Sequence, residues 1–412
     1  MYDGSIHSKT IARQFRPLDF IDEPQLLDEA FKAQVIADAV QIGEQGFGGI
    51  QINKAKLKGK PIYQLGGYPP LLVARHIAAN VKRITGAKQD NRQFIVQCLS
   101  SLLQEGMSFR AYRLDIKNFY ESVDGAKVLD DLRLNEGFSG QSALALQSLF
   151  SELKSQGVSG LPRGLGLSAV LAEYFLRDFD DSIANANEVW FYVRFVDDIF
   201  IITSGKEDKA QFETSLENAL PDGLEYNSKK NRLMDFEPFT KSQSGVEHVF
   251  SYLGYQFEVS RVQREQGGSA FSRKVAIDIA PSKVKKLKTR IVRTLIAFAN
   301  DGDYENLKSR IRLLTSNFNF VDRQSGIRRV SGIYFNYPLT DPDQSSSLPE
   351  LDSFLRNSLI SSHPKNKWRP SITKAQRREL LNLTFDGGFR SRRFYNFGPA
   401  TLAKLVACWR YA

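Results

Sequence analysis

Two adjacent carboxylates, Asp197 and Asp198, lie within an otherwise apolar run, WFYVRFVDDIFIIT. This pattern predicts a strand, a two-residue acidic turn and a second strand. Neighbouring carboxylates in such a run repel each other and lose hydration, and a bound divalent cation is the usual compensation. The alternative is an exposed turn tip, where aspartate is common.

A third carboxylate, Asp115, closes another short apolar run, AYRLD, that also reads as a strand. A lone aspartate at a strand end is often a cap or an ion-pair partner. Two carboxylate-bearing strand ends in one sheet, however, can hold two cations. Such a pair activates a hydroxyl, bridges a triphosphate and stabilises the leaving pyrophosphate. The chain has four histidines and two cysteines, and none of them lies in these runs to suggest a competing site.

The elements that must position these residues are mixed. Helical spacing of apolar residues runs from Pro24 to Ile42 and from Phe94 to Leu103. Short apolar strands are expected at Ala111–Ile116 and within Trp190–Thr203, and a short hairpin is expected at Phe250–Phe257. Irregular alternation of this kind predicts an α+β fold.

Composition limits the class of protein. With 412 residues, 42% hydrophobic and 25% charged, the chain is expected to fold into two or three globular subdomains. It has no apolar stretch long enough for a membrane span and no secretory signal. The two cysteines, Cys98 and Cys408, are far apart, which fits a reducing cytoplasm and excludes a disulfide scaffold or a CxxC zinc site.

The net charge of +10 is concentrated near the C-terminus. Residues 1–270 carry a net charge of −5 and residues 271–412 a net charge of +15. One predicted helix there has an apolar stripe made of Val284, Leu287, Ile291 and Leu295. Its other faces carry Lys283, Lys285, Lys286, Lys288, Arg290 and Arg293. Binding of a phosphate backbone is one interpretation, and a solvated or membrane-surface helix is the other. A second basic stretch, Lys54–Lys60, reads as a hairpin or loop.

Five motifs in this chain resemble those of reverse transcriptases and follow the order found in that family. LDIKNFYESVD resembles motif A, GLPRGLGLSAVLAEYFL motif B, RFVDDI motif C, LEYNSKKN motif D, and SYLGY the motif E primer grip. Each is weak alone, whereas the ordered set over roughly residues 110–258 is specific. The resemblance implies a right-hand polymerase fold of fingers and palm, with a mostly α-helical C-terminal thumb or extension.

The resemblance also implies roles for particular residues. Asp115, Asp197, Asp198 and the backbone carbonyl of Ile116 would hold Mg²⁺, with Mn²⁺ as the alternative, and Lys230 would be the general acid. The residues implied to contact substrate are Tyr120 as a steric gate for dNTPs, Phe195, Gly164, Arg163 in place of the family's glutamine, and Arg92 in the fingers. The implied primer grip is Tyr252, Leu253 and Gly254. Ser168 is not followed by the proline that is usual in motif B.

Within the family, the chain resembles bacterial defence-associated enzymes of the abortive-infection and unknown-group lineages, which are related to retron and group II intron enzymes. The residues that carry this are DIKNFYESV, the altered motif B, and the tail segments LLTSNFNF, GIYFNYPL, FRSRRFYNF and ACW. The implied function is phage defence in the cytoplasm by RNA-directed DNA synthesis from dNTPs. A dedicated noncoding RNA would be the template, and a homo-oligomer or partner protein is expected. Template-independent, protein-templated or protein-primed DNA synthesis, and a catalytically silent RNA-binding scaffold, are the alternatives.

The expected domains follow the motifs. Residues 1–110 would form the N-terminal region and fingers, residues 111–262 the palm, with 131–157 partly fingers, and residues 263–412 the basic thumb. Gly267-Gly268-Ser269 marks the expected boundary before the thumb.

Overall fold

The structure is a computed structural model that describes residues 3–57, 59–135, 137–238, 244–263, 271–322, 326–360 and 372–410. The α-helices are α1 Ser8–Ala12, α2 Asp19–Asp22, α3 Glu29–Gln45, α4 Tyr68–Thr85, α5 Arg92–Leu102, α6 Phe119–Ser122, α7 Gly125–Arg133, α8 Gly140–Ser155, α9 Gly166–Phe175, α10 Arg177–Ala184, α11 Lys209–Ala219, α12 Pro281–Asp301, α13 Tyr304–Thr315, α14 Ser347–Ile360, α15 Lys374–Leu381, α16 Phe385–Arg390 and α17 Pro399–Val406. The strands are β1 Ile52–Leu57, β2 Lys60–Leu65, β3 Phe109–Asp115, β4 Val189–Phe195, β5 Asp198–Thr203, β6 Arg232–Phe236, β7 Gly245–Tyr252, β8 Tyr255–Gln263, β9 Phe271–Ile279, β10 Asn317–Val321 and β11 Arg328–Gly332. Short 3-10 helices span Pro24–Leu27 and Ala407–Trp409.

The chain divides into two compact units. The first comprises Met1–Asp90 and Ser108–Glu237, and the second comprises Asn91–Met107 and Pro238–Ala412. The assignment of fingers, palm and thumb to 1–110, 111–262 and 263–412 stays a prediction, and Gly267-Gly268-Ser269 lies outside the described residues.

A four-stranded antiparallel sheet organises the first unit, with strand order β4-β5-β3-β6. Its inner strand β5 is buried on both faces, because Ile199, Phe200 and Ile201 are fully inaccessible. Helix α4 packs against α3 and α9, and α10 packs against β4. Long runs of apolar residues therefore place β3 and β5 side by side in the core of this unit.

Local signals explain the ends of the helices. Asp28 caps α3 by accepting a hydrogen bond from the Phe31 amide, and two prolines open α4. Helix α4 then ends at Gly86, whose φ of +70° is one that glycine adopts without strain.

The second unit combines a three-stranded antiparallel sheet, β7-β8-β9, with helices α5 and α12–α17 and the hairpin β10–β11. Helix α12 packs against α13 and α14 through the predicted stripe, in which Val284, Ile291 and Leu295 are buried. The helices expected in the C-terminal region are therefore present, and β9 and the β10–β11 hairpin accompany them.

The α+β prediction is confirmed. Among the described residues, none of the helices combines the length and apolar character needed to cross a bilayer.

Candidate active site

The sheet of the first unit brings the three predicted aspartates to one of its ends. Strand β3 ends at Asp115, which lies directly opposite Asp198, the first residue of β5. Asp197 occupies the turn between β4 and β5, and its carbonyl accepts a hydrogen bond from the Ile116 amide at 2.9 Å. Antiparallel register therefore places carboxylates from positions 115 and 197–198 together.

Asp115 is buried, at 4% exposure, and its polar contacts come from the segment before β6. The Lys230 Nζ lies 2.7 Å from its Oδ2, and the Asn227 Nδ2 donates to its Oδ1 at 3.0 Å. The Asp115 amide donates to the Asn231 side chain at 3.2 Å. Lys230 thus lies beside Asp115, and its role as general acid stays a prediction.

The pKa values of the other two carboxyl groups, Asp197 and Asp198, are both raised. Burial and the neighbouring Asp197 and Asp115 raise the pKa of Asp198 to about 6, although Arg113 and Lys230 oppose this. The pKa of Asp197 is also raised, first by burial and then by Asp115. A divalent cation would offset the repulsion between these partly buried carboxylates. Carboxylate oxygens are suitable ligands for Mg²⁺ and Mn²⁺.

The three carboxylates are therefore chemically suited to a hard divalent cation, but in this structure they do not yet surround a common metal position. In the part of the chain that the structure describes, no three His, Cys, Asp or Glu side chains are grouped so that they could hold a metal ion. The Asp115 carboxylate is instead engaged by Lys230 and Asn227.

The turn that carries Asp197 is held in an unusual conformation. Val196 has a φ of +61°, which is rare for a β-branched residue. Its carbonyl accepts a hydrogen bond from the buried Arg194 at 3.0 Å, and Arg194 is paired with Glu173 and Asp180. Phe195, the predicted substrate contact, is half-buried and pairs with Asp198 in the sheet. The buried Arg194 cluster was missed from the sequence, where an arginine in an apolar strand was its only signal.

The motif B turn packs against the residues after motif A. The Leu161 amide donates to the Tyr120 carbonyl at 2.7 Å, and Arg163 makes two hydrogen bonds to Glu121, at 2.7 and 3.0 Å. Tyr120 is half-buried, whereas Phe119 is fully buried and belongs to the core. The structure thus brings Tyr120 and Arg163 together and assigns Arg163 a protein partner that the sequence did not suggest.

Gly164 lies where the motif B turn meets the β1–β2 hairpin. Its φ is +102°, and a Cβ there would lie 2.7 Å from the Tyr63 carbonyl oxygen. The Tyr63 amide donates to the Arg163 carbonyl at 2.7 Å. The basic hairpin, which carries Lys54 and Lys60, is thereby attached to motif B, a long-range contact that its sequence does not reveal.

The predicted primer grip lies in the second unit. Tyr252 is buried at the end of β7, and Leu253 and Gly254 form the turn to β8 with φ values of +46° and +84°. Arg92, at the start of α5, belongs to the same unit. Its guanidinium donates to the carbonyl oxygens of Leu253 at 2.7 Å and Asn336 at 2.9 Å, and it lies 5.0 Å from the ring centroid of Tyr255.

Comparison with known proteins agrees with this arrangement of motifs. Residues 74–257 match the family model described as reverse transcriptase (RNA-dependent DNA polymerase). The matched range contains all five motifs, so this part of the chain is similar to reverse transcriptase domains.

Two solved structures align with the chain at 13% identity. Apo telomerase from Candida tropicalis, truncated from its C-terminal domain, aligns over 46% of this chain and 43% of its own, with a TM-score of 0.30. Telomerase from Candida albicans, in complex with a TWJ fragment of telomeric RNA, aligns over 76% and 53%, with a TM-score of 0.31. The chain thus spans about half the length of each telomerase chain. No curated protein matches it.

Proposed function

We propose that this protein is an RNA-directed DNA polymerase that adds dNTPs to a 3′-hydroxyl with two Mg²⁺ ions, Mn²⁺ being the alternative. Asp115, Asp197 and Asp198 would hold the ions, with the Ile116 carbonyl as a further ligand. The observation that carries the proposal is the pairing of Asp115 with Asp198 on adjacent strands, beside Asp197 in the turn. Bound divalent ions would activate the hydroxyl and neutralise charge on the phosphates.

Lys230 is the proposed general acid. Its ammonium group is half-exposed and lies 2.7 Å from Asp115, so it is held at the carboxylates and is accessible to a nucleotide. An ammonium group there can supply a proton to the departing pyrophosphate.

The nucleotide would be selected by Tyr120, whose ring would occupy the space of a ribose 2′-hydroxyl, and supported by Phe195 and the Gly164 turn. Lys54 and Lys60, on the hairpin attached to motif B, are suited to the triphosphate. Arg92 was predicted to contact the substrate, but its guanidinium binds the Leu253 and Asn336 carbonyls and so favours support of the predicted primer grip. We therefore propose that the two lysines share the triphosphate contact.

The basic face of α12 would contribute to binding of the nucleic-acid backbone. Two of its predicted cations have internal roles, because Lys288 pairs with Glu350 and Arg290 lies 5.4 Å from the Trp409 ring. Lys283 and Lys285 are exposed. Replacing both with glutamine should flatten the dependence of RNA affinity on salt, since each lost phosphate contact lowers the slope by about one. An unchanged slope would exclude these two lysines from the interface.

Catalysis is tested by labelled dNTP incorporation with purified protein, its co-purifying nucleic acid and Mg²⁺. Asp197→Ala with Asp198→Ala should abolish incorporation, as should Asp115→Ala. The exposed Asp130→Ala on α7 is the matched control and should leave it intact. Full activity in the Asp197/Asp198 double variant would refute the proposal.

Sequencing the product separates the remaining possibilities. A unique copied sequence indicates a template, whereas a homopolymer or simple repeat indicates template-independent or protein-templated synthesis. Retained RNA binding without any synthesis, and phage protection that survives loss of all three aspartates, would identify a scaffold.

We further propose a role in phage defence in the cytoplasm, with a noncoding RNA as template and a homo-oligomer or partner protein as the assembly. The resemblance of the tail segments to defence-associated enzymes supports this. Phage plating on cells with the wild-type protein and with the Asp197/Asp198 variant tests it, and equal plating would contradict it.

A further inference from the structure

We propose that Glu121 and Arg163 form a positioning pair that fixes the ring of Tyr120, so that this ion pair sets discrimination between dNTPs and rNTPs. The inference rests on the proposed polymerase function. It assigns Arg163 a role through Tyr120 in place of the direct substrate contact that its motif position suggests.

The geometry of the pair restricts the guanidinium closely. Its Nε lies 2.7 Å from one Glu121 oxygen and its Nη2 lies 3.0 Å from the other. Both side chains are mostly shielded, at 24% and 30% exposure. A two-point contact of this kind fixes the plane of the guanidinium as well as its position, which a lysine cannot do.

The fixed guanidinium lies against the proposed gate. Its central carbon is 5.0 Å from the centroid of the Tyr120 ring, within the range of a cation–π contact. The Phe119 ring centroid is 5.6 Å from that of Tyr120. Of these two neighbours of the Tyr120 ring, Phe119 belongs to the core and Arg163 is held in place by Glu121.

The backbone around the pair is also tied together. The Leu161 amide binds the Tyr120 carbonyl, and a Cβ on Gly160 would lie 2.4 Å from that same oxygen. The Ser168 hydroxyl donates to the Pro162 carbonyl at 2.7 Å, which holds the other end of the turn. Arg163 thus emerges from a turn whose position relative to Tyr120 is set by main-chain contacts.

Charge explains why Glu121 is needed. Arg163 experiences attraction from Asp197 as well as from Glu121, and Glu121 supplies the stronger interaction. Without Glu121, the guanidinium would be drawn toward a proposed metal ligand and away from the Tyr120 ring. The ion pair therefore keeps a cation beside the gate and out of the metal site.

The test measures the ratio of kcat/KM for a dNTP to that for the matching rNTP. Glu121→Gln and Arg163→Gln should each lower this ratio by about 3- to 10-fold, a change suited to loss of one cation–π contact and its anchoring pair. Arg163→Lys should give an intermediate loss. Tyr120→Ala should lower the ratio further, and adding Glu121→Gln to it should cause no additional loss.

The control is Asp222→Asn, which breaks the exposed Lys127–Asp222 pair and should leave the ratio unchanged. A ratio within about 2-fold of wild type in both Glu121→Gln and Arg163→Gln would overturn the inference, as would independent losses from Glu121→Gln and Tyr120→Ala. No dNTP incorporation by the wild-type protein would refute the proposed function itself. If Glu121→Gln fails to fold, Arg163→Gln and Arg163→Lys decide the same question.

Discussion

Replacement of Arg194 by methionine should destabilise the first unit strongly. Its side chain is 4% exposed and lies 2.8 Å from Glu173 and 2.7 Å from Asp180. Methionine retains most of the apolar stem but leaves two shielded carboxylates without their cation and removes the hydrogen bond to the Val196 carbonyl. Breaking a buried pair in this way costs about 3–5 kcal/mol of the free energy of unfolding.

This loss of unfolding free energy should depend on pH, and the ionisation of Glu173 determines whether it grows or shrinks as the pH rises. Burial raises the pKa of Glu173 even though Arg194 lowers it, so loss of Arg194 raises the pKa further. A carboxyl group whose folded pKa is raised contributes stability that is complete below its unfolded pKa and is lost as pH rises through its folded pKa. The cost of Arg194→Met should therefore be larger at about pH 8 than at about pH 5, where Glu173 can be protonated.

Urea-induced unfolding followed by circular dichroism at both pH values measures the effect. Arg133→Met, which breaks an exposed pair with Asp130, is the control and should change stability by no more than about 0.5 kcal/mol. Adding Glu173→Gln and Asp180→Asn to Arg194→Met should restore much of the loss. A cost below about 1 kcal/mol, or one equal at the two pH values, would refute this account of the cluster.

Three further substitutions test the backbone and the second unit. Val196→Gly should raise the free energy of unfolding by about 1 kcal/mol, because glycine adopts a φ of +61° without strain; a clear destabilisation in urea would contradict this. Gly164→Ala should lower the melting temperature and polymerase activity, because the new methyl group would meet the Tyr63 carbonyl oxygen at 2.7 Å, whereas Gly166→Ala has open space and should be tolerated. Asn317→Ala should cost about 2–3 kcal/mol in the same unfolding assay, because the fully buried Asn317 side chain accepts hydrogen bonds from two loop amides; a loss below 1 kcal/mol would show that water replaces them.

The tail segments that suggested a defence lineage have a structural role in the second unit. Asn317, in the first of them, accepts hydrogen bonds from the Tyr334 and Phe335 amides of the second. Its backbone exchanges hydrogen bonds with Arg393 and Tyr395 of the third. Three segments that are separate in sequence thus converge on one buried asparagine. The sequence shows the recurring aromatic residues but cannot reveal that they share a packing centre, because that depends on long-range pairing.

Local chemistry was sufficient to predict much of the candidate site. The apolar residues around Asp197 and Asp198 predict strand, turn and strand, and the structure has β4 and β5 there. The turn between them is Val196 and Asp197, one residue earlier than the predicted acidic pair, because Asp198 already pairs with Asp115 and Phe195 in the sheet. The apolar run ending at Asp115 likewise predicts β3. Strand periodicity and turn composition depend on neighbouring residues, so they can be predicted from the sequence without knowledge of the fold.

Tertiary structure decided which of these residues meet. Asp115 lies opposite Asp198 because of sheet register, which depends on burial of both strands across 82 intervening positions. Lys230 reaches Asp115 because the segment before β6 closes on that strand. The partners of the arginines were the least predictable, because the long arginine side chain can reach several carboxylates and carbonyl oxygens. Arg163 pairs with Glu121, and Arg92 donates to the Leu253 carbonyl in the predicted primer grip, and no local sequence pattern encodes either contact.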